Sequence, residues 1–104
     1  MSLDIRLTQM EEVTVVDKNI THNLGKMWSA AGVYNALYNS AGQTAKSVLP
    51  ALWDGLSLMM SDPERFKVYD APNGWGTYEF AIPWLGQLIA EFEQYPDGII
   101  GVSK

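Results

Sequence analysis

The sequence has no cysteine and only one histidine, His22. Without cysteine there can be neither a disulfide framework nor a thiolate metal site. One histidine leaves a zinc site short of its usual three or four protein ligands. Neither common glycine-rich phosphate loop appears, so no metal or cofactor is expected. Basic residues are also few: seven Lys and Arg stand against twelve Asp and Glu, a formal charge of −5. Duplex binding works through a basic stripe that replaces condensed counterions. No such stripe exists, and nucleic acid is not an expected partner. No apolar run approaches the ~20 residues of a membrane span. The first residues lack the basic-then-apolar pattern of a signal peptide. The expectation is an acidic, soluble protein without a membrane partner. The absence of cysteine suits a reducing cytoplasm.

The chain of 104 residues fits a single domain, 1–104, large enough for one real core. Apolar residues make up 47% and charged residues 18%, a globular balance. Four Trp, five Tyr and three Phe are many for this length, and such a surplus often lines a pocket or an interface.

Leu3-Asp4-Ile5-Arg6-Leu7-Thr8 alternates apolar and polar residues, the signature of a half-buried strand. Residues 9–12 can turn, and the β-branched Val13-Thr14-Val15-Val16 reads as a second strand near 13–17. Helical spacing then takes over. Leu24, Met27, Trp28, Ala31, Tyr34 and Tyr38 form one stripe on a helix near 21–38, with Thr21 as its cap. Gly25 and Gly32 lie inside that span, where close packing against another element would offset their cost. A second helix near 44–60, opened by Thr44, carries Val48, Leu49, Leu52, Trp53, Leu56, Met59 and Met60, and Pro50 inside it predicts a kink or a late start. Asp62, as cap, and Pro63 open a short helix. A third long helix near 78–95, capped by Thr77, carries Ala81, Trp84, Leu85, Leu88, Ile89, Phe92 and Tyr95, with Pro83 raising the same question as Pro50. Pro96-Asp97-Gly98 ends it, and Ile99–Val102 closes the chain as a strand. The fold class is therefore α+β: a hairpin plus a C-terminal strand in a small antiparallel sheet, with three main helices on one face. Alternation cannot choose whether the last strand pairs with the first or the second.

Two stretches stand out as candidate sites. One is Thr21-His22-Asn23, which carries the only imidazole. The other is Asp70 to Glu79, the most irregular part of the chain, where Gly74 and Gly76 flank Trp75 and can hold one indole in a fixed pose. That indole either plugs the core or faces a ligand or partner. Tyr78 and Glu79 follow in the first helical turn, where Glu79 also suits the helix dipole. For His22 a structural or capping role competes with general-base chemistry, because no spacing proposes a nucleophile or an orienting carboxylate.

The blocks Thr21-His22-Asn23-Leu24-Gly25-Lys26-Met27 and Ala31-Gly32-Val33-Tyr34 resemble a family of small uncharacterised proteins of bacteria and their phages. So do Asp62-Pro63-Glu64-Arg65-Phe66-Lys67 and Pro72-Asn73-Gly74-Trp75-Gly76-Thr77-Tyr78-Glu79, with Tyr95-Pro96-Asp97 and Val102-Ser103 at the end. The resemblance spans nearly the whole chain. It implies a compact domain of this length and a bacterial or phage source, and it brings no activity or catalytic residue. The chain departs from the family pattern at Tyr38-Asn39-Ser40-Ala41-Gly42, where relatives carry a Trp and a Pro-Glu-Glu segment.

The leading expectation is a binding or adaptor protein whose surface comprises Thr21, His22, Asn23, Asn73, Trp75, Tyr78 and Glu79, facing a protein or a small polar ligand. The alternatives are a small enzyme using His22 and Glu79 as an acid–base pair, and a phage inhibitor of a basic host protein. No catalytic residue is assigned.

Overall fold

Alternation at the start of the chain produces a hairpin. In the computed structural model, which describes residues 2–9 and 13–104, β1 (Ser2–Gln9) pairs antiparallel with β2 (Val13–Thr21). The turn expected at 9–12 lies, beyond Gln9, outside the described residues. β2 continues past its expected end at residue 17 as far as Thr21. Leu7 pairs with Val16 and Thr8 with Thr14, so Val15 is an extra residue at a bulge. β3 (Ile99–Ser103) pairs antiparallel with β1, which gives the order β2-β1-β3 and the expected α+β class.

Side-chain chemistry explains why β1 is central. Its inward row, Leu3, Ile5 and Leu7, is fully buried. Across the pair, the inward row of β2 reads Ile20, Lys18 and Val16. Lys18 reaches Glu91 at 3.7 Å. A charge on the inward row suits an edge strand, where its head can escape toward solvent, and it blunts pairing with another chain. The outer side of β3 is covered differently. Ile100 and the 42–43 backbone exchange two hydrogen bonds of 2.8 Å, Gly42 N–H to Ile100 and Ile100 N–H to Gln43.

Five helices follow the hairpin: α1 (Gly25–Ala31), α2 (Tyr34–Tyr38), α3 (Ala45–Ser61), α4 (Pro63–Lys67) and α5 (Tyr78–Gln94). The first expected helix, 21–38, is thus divided. His22–Leu24 forms a 3-10 turn capped by the Thr21 hydroxyl, which accepts from Asn23 N–H at 3.2 Å. Gly32 ends α1 with φ 79°, its N–H bonded to Ser29 and that of Val33 to Trp28. This is a Schellman ending, which needs a left-handed residue. Gly32 therefore stops a helix and is not a packing notch within one. Close packing occurs at Gly55 instead: a Cβ there would fall 2.2 Å from Val33 Cγ1 and 3.0 Å from the Ala31 carbonyl.

α3 and α5 run antiparallel. Lys46 meets Asp97, Trp53 donates to Glu93, and the Tyr78 hydroxyl donates to the Met59 carbonyl. Pro50 and Pro83 lie inside these helices, which continue through both. Each proline is exposed, as are Lys46 and Glu79 four residues earlier, so the carbonyls left without partners are near water. Thr44, Asp62 and Thr77 occupy cap positions without a side-chain cap bond, contrary to expectation. α3 is capped instead by the loop after α5: Ala45 N–H donates to the Gly98 carbonyl and Lys46 N–H to that of Pro96, both at 2.9 Å.

The helices and the sheet share one core. Leu24, Met27, Leu52, Leu56, Leu85, Leu88, Ile89 and Phe92 are all buried, as the stripes predict. Trp53 and Met60 are not: they lie on the rim of the α3 stripe and face outward. No helix among the described residues is long and apolar enough to cross a membrane.

Candidate functional site

The two unusual stretches meet at Gly76. A Cβ on this residue would lie 3.0 Å from Asn23 Cβ, 3.2 Å from Thr21 Cγ2 and 3.4 Å from Leu24 Cγ, and its φ is +111°. Both the space and the backbone angle therefore call for glycine. This contact brings the 70–77 loop against the end of β2 and the 3-10 turn.

The loop then holds Trp75 by its backbone. Asn23 Nδ2 donates to the Trp75 carbonyl at 2.7 Å, and Trp75 N–H donates to Asn73 Oδ1 at 3.0 Å. Ala71 N–H bonds to the Gly76 carbonyl and Gly74 N–H to that of Ala71, each at 3.0 Å. Asp70 closes the far side: its Oδ1 accepts from Tyr78 N–H at 2.7 Å, across the loop. Asp70 thus caps α5 in place of Thr77 and puts a negative charge at the positive end of the dipole. With its peptide groups held on both sides, Trp75 is 72% exposed as a residue, and its side chain lies largely in water. It does not plug the core.

Beside the indole lies a cleft of about 770 Å³. β2 contributes Asn19, Ile20 and Thr21, and the loop contributes Asn73 to Thr77. Phe80, 57% exposed, adds a second aromatic to the lining. None of the described residues lining this cleft is charged. A second hollow on the other side of Asn23 and Asn73 is lined by His22, Lys26, Asp70 and the exposed Val68 and Tyr69.

Of the expected surface, Thr21, Asn23, Asn73 and Trp75 come together in the cleft. His22 borders only the second hollow. Its Nδ1 lies 2.9 Å from the Tyr38 hydroxyl. Burial, with the neighbouring Tyr34, raises the Tyr38 pKa from 10.0 to about 12, so the phenol keeps its proton. The hydroxyl can donate to Nδ1 or accept from it, according to the imidazole tautomer. Tyr78 is half-buried, its hydroxyl on Met59, with the Lys67 ammonium 5.6 Å from its ring centre. Glu79 is exposed and borders neither hollow. No hydrogen bond or ion pair joins it to His22.

Sequence reasoning missed Ser2, Asn19, Ile20 and Phe80 as lining residues, and Asp70 as the cap. One signal was present: Phe80 falls outside the stripe of Ala81, Trp84, Leu85 and Leu88, so it must leave the core. Asn19 carried none, because its place depends on β2 running to residue 21. No family model matches the chain, and no curated protein or solved structure matches it.

Proposed function

We propose that this chain is a small binding protein that acts through the Trp75 face of the 70–77 loop, and that it is a cytoplasmic protein of bacterial or phage origin. The observation that carries the reading is the contrast within Trp75. Two asparagine side chains, one from each unusual stretch, hold its backbone, while its indole is left largely in water. A protein gains nothing in folding from fixing an exposed indole; a binding surface gains affinity, because a preorganised anchor loses less entropy on association. Phe80 adds a second exposed aromatic on the same cleft.

Catalysis by His22 and Glu79 has no such support, since His22 is engaged by Tyr38 and Glu79 borders neither hollow. The test is affinity capture from the native host with wild type, Trp75→Ala and Trp53→Ala, reading retained proteins and small molecules by mass spectrometry. Trp53 is the other exposed tryptophan and serves as control. The reading predicts retention by wild type and Trp53→Ala, and loss with Trp75→Ala at an unchanged melting temperature. Equal retention by all three would contradict it.

A further inference from the structure

We infer that the cleft beside Trp75 takes a neutral saccharide; this rests on the binding role just proposed. The first ground is charge. A protein of net charge −5 has here a cleft with no charged residue among the described ones that line it. An ionised ligand would lose hydration on entry and gain no countercharge. A ligand that is polar but uncharged loses least.

The second ground is the pairing of flat apolar faces with mixed polar edges. A pyranose ring has C–H bonds on its faces and hydroxyls around its edge. The exposed indole offers a flat π surface whose negative face attracts polarised C–H groups. Phe80 lines the same cleft. The polar groups left over are of both kinds. Asn23 uses Nδ2 on Trp75 and keeps Oδ1 as an acceptor. Asn73 uses Oδ1 on Trp75 and keeps Nδ2 as a donor. Thr77 makes no side-chain cap bond and keeps its hydroxyl. Each sugar hydroxyl both donates and accepts, and this set answers both needs. The volume, about 770 Å³, falls within the range of small-ligand sites and has room for a short oligosaccharide.

The third ground sets a peptide strand aside. A peptide adding to the sheet would pair with the outer edge of β2. Beside the cleft one carbonyl of β2 is already taken, because Trp84 Nε1 donates to that of Asn19 at 3.0 Å, and a strand pairing there would compete with this bond. The side chains and the aromatic face of the cleft have no such competitor.

The probes are an array of neutral oligosaccharides, with sialylated and sulfated ones and a peptide array alongside. Hits are titrated in solution by tryptophan fluorescence. The expected result is saturable binding of at least one neutral oligosaccharide. Its affinity should fall about tenfold or more in Trp75→Ala and be partly kept in Trp75→Phe. Asn73→Asp, which puts a charge in the cleft, should weaken it too, with circular dichroism confirming that each variant is folded. Tighter binding of the anionic sugars, or binding of peptides alone, would overturn the inference. So would silence of every sugar together with Trp75-dependent capture from the host, an outcome that leaves the binding role standing. Silence of both experiments would remove both.

Discussion

At the scale of single residues, the protein shows two opposite treatments of an aromatic ring. Trp75 has a fixed backbone and a free ring; Tyr38 has a buried ring with its hydroxyl on His22 and Tyr34 stacked against it at 4.3 Å. The Tyr38 environment has a pH consequence. The folded pKa, about 12, exceeds the ordinary 10.0, so the folded state holds this proton more tightly than the unfolded state. The contribution is complete below pH 10 and is lost as pH rises through about 12. Urea melts across that window should show stability falling with pH, and falling less steeply in Tyr38→Phe. An identical slope in both proteins would show that Tyr38 does not titrate late. Little of this was visible in the sequence. Tyr34 and Tyr38 can be placed on one helical face, but the meeting with His22 depends on how the chain turns between residues 21 and 34. Trp75 between Gly74 and Gly76 was legible as an unusual loop position. Whether it faced inward or outward was not, because both outcomes use the same local backbone.

At the scale of elements, glycine and capping separate local from distant causes. The sequence marks Gly25 and Gly32 as candidates for close packing, yet Gly32 ends a helix and a Cβ on Gly25 would meet only Tyr34 at 3.9 Å. The tight site is Gly55, and nothing near it in sequence says so, since Val33 and Ala31 belong to another element. Two glycines inside the long helices should therefore respond oppositely to alanine. Gly86→Ala meets nothing within 4 Å and should raise stability by about 1 kcal/mol. Gly55→Ala should lower it by about 1–3 kcal/mol, with partial recovery on adding Val33→Ala. Thermal melts that rank the two alanine variants the other way would refute the packing description. Capping follows the same division. Thr77 sits at the start of α5, but Asp70 provides the bond from across the loop. Asp70→Ala should cost about 1 kcal/mol and Asp70→Asn less, measured by urea unfolding. Equal stability of all three proteins would leave the α5 N-terminus without its cap. The three helical stripes were legible because their period is local. The edge position of β2 was not legible, because Lys18 lies beyond residue 17, where the expected strand ended.

At the scale of the whole molecule, a net charge of −5 accompanies a cleft whose described lining residues carry none of it. The net charge of −5 has no basic stripe to offset it, so affinity for random duplex DNA at physiological salt should be negligible in a shift assay. Tight, salt-sensitive retardation would contradict this. The uncharged Trp75 cleft lies where β2, the 3-10 turn and the loop before α5 meet. The α+β class follows from the change of period along the chain. The meeting of the two unusual stretches follows only from how hairpin and helices pack. The central claim is that Asn23 and Asn73 hold the Trp75 backbone rigid while its indole stays in water. Nitrogen-15 relaxation of the Trp75 backbone amide and indole, recorded together, tests it most directly. The account predicts a backbone order parameter of about 0.85, as in regular structure. It also predicts that the indole responds to a soluble paramagnetic agent more strongly than those of Trp28 and Trp84. A backbone order parameter below about 0.6 would contradict it, and so would an indole shielded from the agent.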